Sequence, residues 1–318
     1  MKKLKLSLLV VLAVALSLTA CKKEEDTVVA KNIVELAQGN SNLSSLVAAV
    51  TKAGLADELS ASGTFTVFAP TDSAFARFLR AKGYANLDAV PNAVLEKILL
   101  NHVLGVKKKA ADITTGYVKT IGKYGTTASF INMYLNTASG VKINGTSKVI
   151  TADIEASNGI VHVVDEVIDL PTVVTFAIAD AATFSTLVAA LTDSRIASAN
   201  LVSTLNGTGP FTVFAPTNAA FTSLLDELDV TTGLPGIGAS TLESVLKYHV
   251  VAGANVLAGS LTEGQIVTTF LDQTFKIGLT PAAKITDASD RVSNIIVTDV
   301  QASNGVIHVI DKVLLPGS

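Results

Sequence analysis

Four histidines, His102, His162, His249 and His308, are the residues in this chain best suited to acid–base or metal chemistry. An imidazole titrates near neutrality and ligates zinc, so both chemistries have to be weighed. A closed zinc site takes four ligands, and each pair of histidines would need carboxylates delivered from elsewhere. The surrounding residues point to a plainer role. His162 alternates with Ile160 and Val164, and His308 with Val306 and Ile310, the pattern of one apolar strand face. His102 completes Leu95, Ile98 and Leu99, and His249 completes Leu242, Val245 and Leu246, at the i, i+3, i+4, i+7 spacing of a buried helical stripe. All four are expected to be core imidazoles bonded to neighbouring groups, with no metal and no cofactor. No other motif carries catalysis: there is no Gly-x-Ser-x-Gly elbow, no His-Glu-x-x-His, and no cysteine apart from Cys21. Gly233 to Gly238 is glycine-rich like a phosphate loop, but no Gly-Lys-Ser/Thr follows it. Ser240-Thr241-Leu242-Glu243 reads as a capping box at the next helix start. The chain is read as a non-enzyme.

The elements that place these histidines occur twice. Phe65 to Phe75 (FTVFAPTDSAF) returns as Phe211 to Phe221 (FTVFAPTNAAF), and Ser157 to Asp165 returns at the same offset as Ser303 to Asp311. Two blocks sharing one offset mark a duplicated domain. In the first copy Ile33, Leu36 and Ala37, then Leu43, Leu46, Val47 and Val50, have helical spacing. Thr64 to Ala69 alternates as a strand, Pro70 ends it, and Thr71 or Asp72 can cap a helix carrying Phe75, Phe78 and Leu79. Pro91 fits the first turn of the helix bearing His102. From Val103 onward, short strands separated by glycines are expected, with Asn158-Gly159 as a hairpin turn. Leu187 to Leu191 answers Leu46 to Val50 at a smaller offset than the two blocks share. The second copy therefore gains residues before Phe211, and a surface loop around Asn200 to Gly209 is the expected place.

Apolar residues make up 49% of the 318-residue chain and charged ones 16%, which excludes a disordered or highly charged protein. No basic stripe is present, so nucleic acid is not an expected partner. Residues 1–20 read as an export signal: Lys2, Lys3 and Lys5, then an apolar run from Leu6 to Leu18. Leu18-Thr19-Ala20-Cys21 resembles the lipobox of bacterial lipoproteins, which implies lipidation of Cys21 and membrane attachment through it. Loss of the three lysines would move the formal charge from −3 to −6. Residues 21–30 form a polar tether, 31–171 the first domain and 172–318 the second. Lys22 is not the aspartate associated with inner-membrane retention, and Lys22 to Asp26 is similar to a surface-export tag. The expected location is the outer membrane, with the cell surface and the periplasm as alternative orientations. Asp26-Thr27-Val28 and Asp72-Ser73-Ala74 resemble a bacterial O-glycosylation sequon.

Three ordered blocks, each present in both halves, make the chain resemble the fasciclin domain family. The first is carried by Phe68, Pro70, Asp72 and Phe75, and by Phe214, Pro216, Asn218 and Phe221. The last is carried by Asn158, Gly159, His162 and Asp165, and by Asn304, Gly305, His308 and Asp311. The family's tyrosine–histidine pair is Tyr248-His249 in the second copy and departs to Asn101-His102 in the first. The resemblance implies an α+β fold, two tandem domains each with a twisted β-wedge or sandwich packed with several short helices. It also implies a non-catalytic adhesion or interaction role toward an extracellular protein or glycan, the tyrosine–histidine region being implicated in integrin binding in animal members. The alternative is an envelope receptor for a glycan or other ligand, weakened by 5% aromatic residues and no tryptophan. Tyr248, His249, Asn101 and His102 are the candidate contact residues. Tyr248 is rotated about 100° from the buried stripe and the first copy tolerates Asn101 there, so both are expected to be partly solvent-facing.

Overall fold

The computed structural model describes residues 30–317, so the expected export signal, Cys21 and the tether lie outside the described residues. Lys31–Ser318 forms one compact unit. In the first copy, helices α1 (Ile33–Gln38), α2 (Ser44–Lys52) and α3 (Ala56–Ser60) precede strand β1 (Phe65–Pro70). Then follow α4 (Asp72–Lys82), α5 (Asn92–Asn101), β2 (Val103–Leu104), β3 (Gly116–Lys123), β4 (Phe130–Asn136), β5 (Lys142–Ile143), β6 (Ser147–Ala156) and β7 (Gly159–Val164). The second copy repeats this as α6 (Val173–Ala179), α7 (Ala181–Leu191), α8 (Leu201–Asn206), β8 (Phe211–Pro216), α9 (Asn218–Glu227) and α10 (Ala239–Tyr248). It ends with β9 (Val250–Ala252), β10 (Ile266–Thr268), β11 (Thr274–Gly278), β12 (Lys284–Thr286), β13 (Val292–Gln301) and β14 (Gly305–Ile310).

Each copy builds one seven-stranded sheet with the same neighbours, β2-β1-β7-β6-β5-β4-β3 and β9-β8-β14-β13-β12-β11-β10. Only β1 with β7, and β8 with β14, run parallel. These are the strands spelled by the repeated blocks, and they are apolar on both faces because each face meets a separate core. On one side the helices pack over Val67, Ala69, Val161 and Val163. On the other, the antiparallel strands curl round Phe68, Met133, Leu135, Ile143 and Val164. The second copy repeats both clusters.

The Asn-Gly pair joining β6 to β7 earns its place differently from a tight turn requiring positive φ, since neither residue has one. A Cβ on Gly159 would stand 2.3 Å from the Phe65 carbonyl oxygen, and one on Gly305 the same distance from that of Phe211. Only glycine lets the parallel strands close here. Asn158 accepts from Ile33 N at 3.0 Å and donates to the Leu59 and Ala61 carbonyls at 2.8 Å each, tying α1 and α3 to the sheet. Asn304 repeats this with Val173 N, Leu205 O and Gly207 O.

Three local expectations are corrected. Helix α10 starts at Ala239 with Gly238 at its cap, so Ser240 is inside the first turn and makes no capping box; Glu243 pairs with Lys247 instead. Pro91 stands at the N-cap of α5, one place before the first turn. The inserted residues of the second copy form a 3-10 segment, Ser194–Ala199, rather than a loop over Asn200 to Gly209. Ile196 buries it, and the Arg195 guanidinium donates to the Leu234, Pro235 and Ile237 carbonyls. That contact fixes the glycine-rich segment with carbonyls turned toward a cation, the opposite of a phosphate cradle.

Candidate functional site

The four histidines form two kinds of backbone staple. Ring Nδ1 of His102 lies 2.7 Å from the Ile98 carbonyl while Nε2 accepts from Ile168 N at 2.9 Å. His249 does the same with Val245 O at 2.7 Å and Leu314 N at 2.9 Å. A carbonyl can only accept and an amide N–H only donate, so each ring is neutral with its proton on Nδ1. Burial pushes both imidazoles down to about 4, although the backbone carbonyls favour the charged ring. Each clamps the end of its helix to the chain leaving the sheet. His162 and His308 carry the opposite tautomer: Nε2 donates to Lys108 O at 3.0 Å and to Val256 O at 2.9 Å, and Nδ1 accepts from Asp153 N and Asp299 N. Among the described residues no group of three or more His, Cys, Asp or Glu side chains is arranged to hold a metal.

Tyr248 is the main correction to the site. It is 0% exposed, its hydroxyl donating to Thr274 O at 2.7 Å and accepting from Ala288 N at 3.0 Å. The helix that buries Leu242, Val245 and Leu246 under the helical layer turns Tyr248 into the second core beside Phe214 and Phe275. A helix lying across a two-core sheet is buried on two sides, so a residue off the first stripe is not thereby wet. Asn101 is also 0% exposed and donates to Asp169 O at 3.2 Å, close to the junction of the copies. With His102 and His249 at 1% and 3%, none of the four candidate contact side chains reaches solvent. The other motif residues are structural in the same sense. Phe68, Phe75, Phe214 and Phe221 fill cores, Pro70 and Pro216 close β1 and β8, and Asp165 and Asp311 accept from Lys148 N and Asn294 N to finish a hairpin. Asp72 accepts from Ser44 and Ser45 and Asn218 from Thr186, joining paired helices.

What the staples hold outward is a repeated surface. Strands β6 and β13 each carry register shifts that end at a left-handed aspartate, Asp153 (φ 62) and Asp299 (φ 59). Each aspartate N–H meets the histidine behind it, and each carboxylate accepts from an amide in front, Ala110 N and Ala258 N at 2.8 Å. The bulge so fixed leaves Ile150 and Ile296 both 53% exposed. Bulges re-aim side chains, and here both copies aim an isoleucine into solvent.

The short Ile168-Asp169-Leu170-Pro171 connection implies tightly coupled copies, but not which residues couple them. Tyr117 and Tyr134 on the outer face of β3 and β4 pack on Phe176 of α6 and direct their hydroxyls at Asp180, at 3.3 and 3.0 Å. Asn132 accepts from Gln301 N at 2.8 Å beside them. Burial, with the nearby Asp180 carboxylate, raises both tyrosine pKa values, so the hydroxyls stay protonated donors. The sequence signal was the near-continuous apolar run of Phe130 to Leu135, which suits a strand covered on both faces. Replacing both tyrosines by Phe strands a carboxylate only 6% exposed. The expected cost is about 1–3 kcal/mol, read in calorimetry as one transition splitting into two; a single unshifted transition would contradict the coupling.

Comparison with known proteins agrees with this architecture. The Fasciclin domain profile matches residues 41–171 and again 182–316. Transforming growth factor-beta-induced protein ig-h3 of Sus scrofa is 30% identical over 83% of this chain and 36% of its own length. Human periostin is 30% identical over 83% of this chain and 30% of its own. Protein sll1483 of Synechocystis is 42% identical over 44% of this chain and 73% of its own. The chain thus spans about a third of the two animal relatives. A FAS1 domain pair from the insect cell adhesion molecule Fasciclin I superposes with a TM-score of 0.50 at 20% identity, covering 87% of this chain and 98% of that one.

Proposed function

Because the chain belongs to the fasciclin domain family, with two tandem copies, we propose that it is a non-catalytic adhesion module of the cell envelope, held to the outer membrane through a lipidated Cys21. The observation that carries the adhesive reading is the repeated bulge, which presents Ile150 and Ile296 to solvent at the same place in both copies. Isolated exposed side chains are ordinary, but two at equivalent, rigidly braced positions suit bivalent contact with an extracellular protein. The buried tyrosine–histidine motif supports the same reading indirectly, since it leaves partner contact to other surfaces. The lipobox-like Leu18-Thr19-Ala20-Cys21 motivates the anchor. Mass spectrometry of the mature N-terminus is expected to find an acylated Cys21, and an unmodified chain starting elsewhere would refute the anchor. Crosslinking from cysteines placed at positions 150 and 296 on intact cells is expected to capture an extracellular protein. Capture of a glycan alone would favour the receptor alternative.

A further inference from the structure

The outer face of β10 to β13 is the exposed twin of the face by which the first copy docks the second. The register identifies the equivalent residues. Leu135, Ile143 and Ser147 lie in one buried row across β4, β5 and β6, and Ile277, Ile285 and Ser293 form the same row across β11, β12 and β13. One position earlier, on the opposite face, Tyr134 corresponds to Lys276. Their cross-strand partners Tyr117 and Ile266 correspond as well. In the first copy this face is covered by α6 and the end of β13. In the second it is open among the described residues: Ile266 is 61% exposed and Val292, in the same row through Lys276 and Thr286, is 42% exposed. A row across four strands spans roughly 14 Å, wide enough for a helix to lie on.

We propose that this face docks the first copy of a second chain, head to tail, repeating the junction found inside each chain. This rests on the adhesive reading and supplies one partner for it. Among the described residues, the receiving surface is also open in the first copy. Leu36 of α1 occupies the position of Phe176, Asn40 that of Asp180, and Glu155 that of Gln301. The equivalence follows from Asn158 and Asn304 holding Ile33 and Val173 identically. Leu36 is half-buried, and Glu155 is exposed on its strand. Ile266 then packs on Leu36 as Tyr117 packs on Phe176. Lys276 replaces a tyrosine hydroxyl, opposite the Asn40 side-chain amide, while the Glu155 carboxylate is already paired with Lys107 and Lys109. The apolar exchange keeps its complementarity, and the lysine meets a neutral amide in place of the Asp180 carboxylate. The contact uses different surfaces on the two partners, so it extends into an open row rather than closing as a dimer.

The test is sedimentation of the full chain in detergent over a range of concentrations, beside Ile266→Asp and Leu36→Asp. A concentration-dependent series of oligomers is expected, with at least a tenfold weaker association in either variant. A mixture of Ile266→Cys and Leu36→Cys chains, both carrying Cys21→Ser, is expected to form a disulfide-linked heterodimer that neither gives alone. A chain that stays monomeric, or variants that associate as the parent does, would overturn the proposal. If that monomeric chain still supports cell attachment, the adhesive reading survives. If attachment is also absent from the parent chain, that reading falls with the proposal.

Discussion

Acidification from about pH 7 to about pH 4.5 is expected to remove roughly 5 kcal/mol of folding stability from the chain, about half through each of His102 and His249. Both rings are held neutral, with pKa values pushed down to about 4 by burial, whereas the unfolded chain returns them to the ordinary histidine range near 6.5. Between those values the unfolded state binds more protons than the folded one. Stability is therefore complete above the unfolded pKa and is lost as pH falls toward the folded one. The charged groups facing the rings do not reverse this: Asp169 near His102 and Asp287 near His249 favour protonation, Arg291 opposes it, and burial exceeds them all. His308 is lowered as well and adds to the same slope. Against a usual total of about 5–15 kcal/mol, the effect is large enough to unfold a domain. Urea titrations at several pH values measure it directly. A midpoint that does not move between pH 7 and pH 4.5 would show that the folded rings take up protons as readily as the unfolded ones.

Tyr248→Asn is expected to cost about 3–5 kcal/mol, the range for truncating a large buried side chain. The ring packs edge-on against Phe275 at 6.0 Å between centroids, in a cluster with Phe214 and Ile277. Tyr248→Phe keeps that packing and leaves the Thr274 carbonyl and the Ala288 amide without their partner, for about 1–3 kcal/mol. The ordering of the two variants matters more than either value. If Tyr248→Asn melts with the parent protein, the residue is not part of the core and its place in the fold is wrong.

The contrast between Tyr248 and His249 shows what was legible in the sequence. His249 was placed in the core because it shares a helical stripe with Leu242, Val245 and Leu246, and periodicity reports the face a helix turns to its nearest layer. Tyr248 departs from the same pattern because its helix meets a second core that lies beyond the reach of a local pattern. Asn101 departs for the same reason: a polar residue in one copy suggests solvent, but the Asp169 carbonyl accepts from its amide inside the fold. The repeated blocks were legible as strands, and the parallel pairing of β1 with β7 explains why Gly159 cannot vary, although local turn chemistry suggested another cause. The junction was hidden because Tyr117 and Asp180 stand far apart in the chain and neither sits in a repeated block. The bulges were hidden too, since a register shift is a relation between strands. Sequence reading supplies the duplication, the strands, the β6–β7 hairpin and the buried histidines; it lacks the side chains that meet in the second core and between the copies.

The motif residues hold the fold, which leaves the proposed contact to the solvent-facing isoleucines Ile150 and Ile296. Attachment of cells displaying the chain, compared with cells displaying Ile150→Asp together with Ile296→Asp, tests this most directly. Both side chains are more than half exposed, so the melting temperature is expected to stay within a degree or two of the parent. Attachment is expected to fall about tenfold, the equivalent of roughly 1.4 kcal/mol of contact energy. Attachment equal to the parent, in a variant that melts with the parent, would contradict a contact made through these isoleucines.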